Sequence, residues 1–360
     1  MTIGIAKPYI GEEEKRAVLA VLESGQLVQG SQVAILEDRF AAAHGAKHAV
    51  ATSNGTTALT AALMAHEIGP GDEVIVPAFS FFASASSVMS VGARPVFADI
   101  EPDTYNLSVP AAEAAITPRT RAIMPVHLFG HPADMDPFQS LCRSRGLVLI
   151  EDAAQAHIAG IGDRHVGTWG TAAFSFYPTK NMTTTEGGMV LTSDVDVARR
   201  LRMIRNQGRN TQGVHEVLGF NFRMTDICGA IGVQQLARLL EWTKARIANA
   251  AYYGERLTRV MTPIVRSGCR HVFHQYTVRI PLGANRDTVV QRLNDRGIGV
   301  RVYYRLPIYR QPAIRNIMGE PVETLPEAER AAREVFSLPV HHQLTQVELD
   351  TVVHEVNAAC

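Results

Sequence analysis

Val148-Leu149-Ile150-Glu151-Asp152-Ala153-Ala154-Gln155-Ala156 is an apolar run that ends in acidic side chains and then a small-residue turn. An all-apolar stretch of this length fits a strand buried on both faces, which is the habit of parallel sheets. Working outward, similar runs recur at Glu73 to Val76, Arg94 to Ala98, Arg121 to Val126, Leu147 to Ile150, Ala172 to Phe176 and Gly188 to Leu191. Segments of helical pattern lie between them, Thr56 to Glu67 and Asp136 to Ser144 among them, and Gly69-Pro70-Gly71-Asp72 and Glu101-Pro102-Asp103 supply the turns. Strands that alternate with helices predict an α/β architecture with a mostly parallel sheet. In such sheets ligands bind at the carboxyl ends of the strands, where Asp152 falls. Taken alone, Asp152 reads equally as a helix N-cap.

Beyond this region, Thr225-Asp226 has the form of an N-cap with an acidic first turn and opens a long helix toward Leu257. A strand over Val272 to Ile280, a helix over Asp287 to Arg296 and a Pro-punctuated stretch from Leu306 to Leu338 suffice for a smaller α+β domain. The expected organisation is an N-terminal arm over 1–30, a large domain over 31–240 and a small C-terminal domain over 241–360.

The second informative segment is Phe174-Ser175-Phe176-Tyr177-Pro178-Thr179-Lys180-Asn181, a strand that leads to a lysine just before a Thr/Gly-rich turn. Most lysines are solvated surface residues, which does not account for the company of this one. An amine at the mouth of an α/β sheet has a lowered pKa and can attack an aldehyde, as a pyridoxal phosphate (PLP) lysine must. Asp152 at the neighbouring strand end can keep the pyridine nitrogen of PLP protonated, and Gln155 reaches toward the ring hydroxyl. In Ala51-Thr52-Ser53-Asn54-Gly55-Thr56-Thr57-Ala58, small residues open a helix whose free amides form a phosphate cup, with Ser175 as a further donor. Neither GxxxxGK[ST] nor GxGxxG is present there, which argues against a P-loop and a dinucleotide fold. Phe81 suits stacking on the ring and suits a core position equally.

Lys plus Arg (35) equals Asp plus Glu (35) in the 360 residues, so no excess charge is on offer to a nucleic acid or an anionic membrane. The first ten residues lack a basic stretch followed by an apolar run, and no window reaches the ~18 to 20 apolar residues of a membrane span. The expectation is a cytoplasmic protein. Cys142, Cys228, Cys269 and Cys360 form no CxxC pair, and the adjacent His341 and His342 lack a spaced third ligand, so no metal site is expected.

In this order, these segments resemble the DegT/StrS-type sugar aminotransferases, fold type I PLP enzymes related to aspartate aminotransferase. The resemblance runs nearly end to end. It includes Lys7 to Glu14, Asn54-Gly55-Thr56, Pro125 to Asp136, Glu151 to Gln155, the Lys180 segment, Glu186-Gly187-Gly188-Met189, Asn221 to Asp226 and Ser337 to His341. It implies that Lys180 is the Schiff-base residue, that Asp152 pairs with the pyridinium, that Gln155 contacts the ring oxygen and that Phe81 stacks on the ring. It also implies that Gly55, Thr56, Thr57 and Ser175 form the phosphate site. Asn221 and Arg223 would reach the phosphate held by the neighbouring subunit of a homodimer. Members that dehydrate sugars carry His in place of the lysine, so Lys180 favours amino transfer, with L-glutamate as donor and a nucleotide-linked keto sugar as acceptor.

Five positions depart from the family pattern. Tyr303 and Tyr309 stand where His is usual, Arg305 and His342 where Pro is usual, and Gln207 where His is frequent. They fall where such proteins shape the substrate pocket, so a cyclitol or another ketone stays open as acceptor. Arg301, Arg305 and Arg310 fit either a diphosphate site or a solvated face.

Overall fold

The computed structural model describes residues 2–281, 283–320 and 324–360; positions 321–323 of the stretch from Leu306 to Leu338 lie outside the described residues. Seven strands form the central sheet: β1 (His48–Thr52), β2 (Glu73–Pro77), β3 (Arg94–Ala98), β4 (Thr120–Ile123), β5 (Val148–Asp152), β6 (Thr171–Ser175) and β7 (Gly188–Thr192). Their spatial order is β1-β7-β6-β5-β4-β2-β3. All pairs from β6 through β3 are parallel, and only β7 runs antiparallel to its neighbours. The sheet is therefore mixed but mostly parallel, as the apolar runs predict. β2, β6 and β7 are buried at every position, because helices cover both faces.

β1 was not among the expected strands. His48-Ala49-Val50-Ala51-Thr52 has two alanines, which carry little strand propensity, and burial against β7 decides its state. The expected strand over Arg121 to Val126 ends at Ile123, after which Val126 makes a lone bridge to Asp152.

Residues 1–30, expected as an arm, contain helix α1 (Glu12–Ser24), and α2 (Ser31–His44) follows it. The Glu14 carboxylate of α1 is buried, accepts from the Gly11 amide at 2.9 Å and from Gln235 Nε2 at 2.8 Å, and so fixes α1 on the long helix that crosses below. The crossover helices are α3 (Gly55–Ala65), α4 (Ala83–Ser90), α5 (Val109–Ala114), α6 (Met135–Arg145) and α7 (Val195–Ile204). The long helix is α8 (Asp226–Arg256), whose N-cap Thr225 accepts from the Cys228 amide. Asp226 turns its carboxylate the other way and accepts from the amides of Gly30, Gln32 and Val33 at 2.9 to 3.2 Å, which caps α2 as well.

The expected division at 240/241 falls inside α8, so the chain does not break there. The two halves of the helix instead serve different cores. Val233 and Leu239 pack with Val33, Leu36 and Phe40 on the sheet, whereas Ala250 and Tyr253 pack with Ile3, Tyr276, Phe336 and Val352. The second core covers a two-stranded antiparallel sheet, β8 (Tyr276–Arg279) with β9 (Val335–Leu338). The strand expected over Val272 to Ile280 is shorter because Val272 and Gln275 spend their amides on the carbonyls of Gly130 and Phe129. Those two bonds bring His274 and Gln275 to the edge of the central sheet.

No helix of the described residues is long and apolar enough to cross a membrane, and no group of three or more potential metal ligands occurs among them.

Candidate active site

Five strand ends converge on one cavity of about 730 Å³. β1 delivers Asn54 to Thr57, β2 delivers Ser80 and Phe81, β4 delivers Val126 and Phe129, β5 delivers Asp152 and Gln155, and β6 delivers Ser175 and Lys180. Eight of the ten residues expected at the site thus line it: Gly55, Thr56, Thr57, Phe81, Asp152, Gln155, Ser175 and Lys180.

Glu151 and Asp152 show how one strand gives two carboxylates opposite properties. Successive side chains leave a strand on opposite faces. Glu151 points away from the cavity and is fully buried, where it accepts from the amides of Gly167, Trp169 and Gly170 and meets His127 Nε2 at 3.2 Å. Burial pushes its pKa up, and His127 and these amides more than reverse that, so Glu151 is held below the usual carboxylate range. Its task is to tie the 167–170 turn to β5. Asp152 points into the cavity. Burial dominates there and raises its pKa, against the opposing pull of a 2.7 Å hydrogen bond from Ser84 Oγ, a 3.2 Å bond from the Ala154 amide and the charge of Lys180. The N-cap reading of Asp152 is thereby displaced: α4 contributes Ser84 to the carboxylate, and no helix begins after β5 until β6 has passed.

Burial lowers the Lys180 amine to about 8, with Asp152 opposing the shift. Lys180 has no ion-pair partner among the described residues. An amine that gives up its proton more readily than an ordinary lysine, beside a buried carboxylate without an ion-pair partner among the described residues, suits a lysine that attacks an aldehyde and a carboxylate that awaits a cation.

At the α3 N-terminus Asn54 caps the helix by accepting from the Thr57 amide at 2.9 Å, and the Thr57 hydroxyl turns back to the Asn54 carbonyl. The first-turn amides of Gly55 and Thr56 have no intrahelical acceptor. A Cβ on Gly55 would lie 2.7 Å from Ser175 Cβ, so only glycine lets α3 sit this close to β6 and keep the two donor groups together. Free amides, the Ser175 hydroxyl and a helix N-terminus fit a phosphate. The residues present therefore fit PLP at both of its charged ends.

Gln155 is fixed rather than free. Its Oε1 accepts from the Phe129 amide at 2.7 Å, and its Nε2 donates to the Tyr304 hydroxyl at 3.2 Å, which leaves one N–H for a ligand. Phe81 is 57% exposed, a cavity position and not a core one, with its ring centroid 6.1 Å from that of Tyr304.

Asn221 and Arg223 do not reach the cavity within one chain. Asn221 is exposed and forms a lone bridge with Asn206, and Arg223 Nη1 donates to Asn206 Oδ1 at 2.7 Å. Of the five departures, only Tyr303 lines the cavity. The other four expected pocket positions are corrected by their contacts. Tyr309 is buried and bonded to Glu329, Arg305 pairs with Asp287 in solvent, Gln207 lies in the 206–221 loop, and His342 stacks on Trp242. Arg310 is likewise paired with Glu329, and Arg301 is exposed outside the cavity, so the three arginines do not form a diphosphate site.

Several lining residues were not singled out from the sequence: Ser80, His274 and Tyr304, while Glu186 was noted only as part of a family segment. Nor was Ser84, 68 positions from the carboxylate it serves, in a serine-rich stretch where nothing marks one serine from the next.

Lys180 beside Asp152 at the strand ends of a mixed α/β sheet, with a phosphate cup opposite, defines a PLP enzyme. The chain belongs to the DegT/DnrJ/EryC1/StrS aminotransferase family, whose sequence profile matches residues 8–357, and its cofactor is pyridoxal 5′-phosphate. It is 42% identical to a pleiotropic regulatory protein of Geobacillus stearothermophilus over 96% of this chain and 93% of that one. It is 41% identical to the GDP-perosamine synthase of Caulobacter vibrioides over 98% of this chain and 96% of that one. The crystal structure of S. venezuelae DesV in complex with a ketimine intermediate superposes with a TM-score of 0.92 at 39% identity, covering 96% of this chain and 94% of that one.

Proposed function

We propose that this aminotransferase moves an amino group from L-glutamate to a nucleotide-linked keto sugar, with Lys180 as its catalytic residue. The observation that carries the reading is the Lys180 amine and the buried Asp152 carboxylate on one cavity wall, and a relative named GDP-perosamine synthase points to the acceptor class.

The cofactor, when bound, supplies an electron sink for the carbon whose C–H bond is broken. Asp152 holds the positive end of that sink in place, and Ser84 keeps the carboxylate ionised and aimed. Gly55, Thr56, Thr57 and Ser175 bind the phosphate, Gln155 donates its remaining N–H to the ring oxygen, and Phe81 covers the ring. Lys180 Nζ, whose lowered pKa gives it a larger free-base fraction than an ordinary lysine, would accept the proton from the donor carbon and hold it for return to the cofactor. Phe81, Tyr177, Tyr303 and Tyr304 give the same cavity an aromatic wall. Residues 31–240 carry the cofactor machinery in this reading, and 241–360 close the cavity through His274, Tyr303 and Tyr304. The working unit is a cytoplasmic homodimer in which Asn221 and Arg223 complete the phosphate site of the partner subunit.

A regulator that retained the fold without the chemistry would have no use for an amine of lowered pKa beside a buried carboxylate. The test is an absorbance spectrum of the purified protein with PLP, before and after L-glutamate, then with nucleotide-linked 3-keto and 4-keto sugars. The expected band at about 420 nm moves to about 330 nm with glutamate and returns with one sugar. A band that never forms refutes the enzyme reading, and a band that returns only with cyclitols or other ketones refutes the sugar.

A further inference from the structure

Glu186 lines the cavity that holds Lys180 and Tyr303, yet its carboxylate has no hydrogen-bond or ion-pair partner among the described residues. Its backbone, by contrast, is fixed from every side. The turn between β6 and β7 is closed by bonds from the Phe176 amide to the Gly187 carbonyl at 2.8 Å and from the Thr184 amide to the Phe176 carbonyl at 3.0 Å. Thr183 Oγ1 donates to the Phe176 carbonyl at 2.8 Å, and Thr184 Oγ1 donates to the Glu186 carbonyl at 2.7 Å. A Cβ at Gly187 would meet Thr184 Oγ1 at 2.1 Å, so no other side chain fits there.

Within this turn Thr185 takes φ +71°, a conformation that a β-branched residue rarely adopts. Such a position persists only where its surroundings over-determine it, and strained backbone of this kind concentrates at ligand sites. The next residue, Glu186, is exposed and lines the cavity.

We infer that Glu186 is a specificity-determining residue that accepts hydrogen bonds from ring hydroxyls of the acceptor. This inference rests on the proposed amino transfer to a sugar. A carboxylate only accepts when ionised, so its ligand must present O–H or N–H groups. The cavity's other charged side chains are committed to the cofactor, Lys180 as its attachment and Asp152 as its counter-charge. Glu186 is therefore the charged side chain of the cavity left to accept from the hydroxyls of a sugar ring.

The experiment compares wild type with Glu186→Ala and Glu186→Gln in steady-state transamination. The acceptor is the nucleotide-linked keto sugar active in the spectral assay, alongside analogues that each lack one ring hydroxyl. Glu186→Ala is expected to raise the acceptor KM about 10-fold or more, as loss of a charge-assisted hydrogen bond does, with Glu186→Gln between. The glutamate KM and the 420 nm band should change less than about 2-fold in either variant. One deoxy analogue should be a poorer substrate than the parent sugar for wild type and no poorer for Glu186→Ala. An unchanged acceptor KM, or an equal deoxy penalty in both proteins, overturns the role of Glu186 and leaves the sugar aminotransferase standing. A wild type that turns over no keto sugar overturns both.

Discussion

Ser84→Ala removes one hydroxyl and nothing else. In the structure that hydroxyl lies between Ser80 Oγ at 3.0 Å and Asp152 Oδ2 at 2.7 Å. The proton on Ser84 is committed to the carboxylate, so Ser80 must donate to Ser84, and the three side chains form a directed chain that ends on the cofactor's counter-ion. The Asp152 carboxylate has only one other hydrogen bond among the described residues, the longer contact from the Ala154 amide. Burial already disfavours its charge. A hydrogen bond to an ionised group contributes about 1.5 to 3 kcal/mol, so Ser84→Ala should weaken PLP binding by about 10- to 150-fold. The assay is a spectroscopic titration of apoprotein with PLP, read at the lysine-bound band. Ser87→Ala is the control: it lies one turn further along α4, is equally buried, and bonds only to the Ser84 carbonyl at 3.4 Å. The sign of the pH dependence follows from the direction of the shift. Because the pKa of Asp152 is raised, lowering the pH neutralises it earlier than an ordinary aspartate, and a bond to a neutral carboxyl contributes only about 0.5 to 1.5 kcal/mol. The ratio of the two affinities should therefore narrow toward acid pH. Equal PLP affinity for Ser84→Ala and wild type would refute the claim that α4 sustains the ionised Asp152.

For Lys180 the folded value of about 8 lies below the ordinary 10.5, so the folded chain gives up this proton earlier and apoprotein stability rises with pH across that window. The rate of PLP capture by apoprotein, followed by stopped flow, should climb about tenfold per pH unit below about 8 and level off above it; a climb that continues toward 10.5 would contradict the lowered pKa. Gly188→Ala would place a Cβ 2.2 Å from the Asn54 carbonyl and 2.6 Å from Thr52 Oγ1, which predicts a loss of about 1 to 3 kcal/mol in chemical denaturation together with weaker PLP binding, since Asn54 caps α3. Wild-type stability in that variant would show that β7 can move away. Mixing Lys180→Ala subunits with Asn221→Ala subunits tests the shared site: in the mixed dimer one site has both defects and the other neither, so activity should reappear on mixing, and its absence would count against exchange of Asn221 between subunits.

What the sequence disclosed and what it hid divide along a physical line. β2, β5, β6 and β7 could be read in advance because strands buried on both faces are mostly apolar, a constraint local enough to survive in one dimension. β1 escaped because its alanines carry no strand preference and its state is decided by β7, some 140 residues away in the register His48 to Thr192. The same line runs through the site. Asp152, Lys180 and the Asn54 to Thr57 turn each end a strand or open a helix, and the strand ends of a parallel sheet are brought together by the fold itself. Ser84 and Tyr304 act through a partner distant in sequence, and a serine or tyrosine carries no local mark of that partner. The departures at Tyr309, Arg305, Gln207 and His342 misled for the opposite reason: they are visible one residue at a time, but Glu329, Asp287, the 206–221 loop and Trp242 take them away from the cavity. Tyr303 remains, beside Tyr304 and facing the same space as Glu186. An acceptor pocket in this chain is thus built from one aromatic departure and one carboxylate that the fold aims at it, and no reading of either residue alone would have joined them.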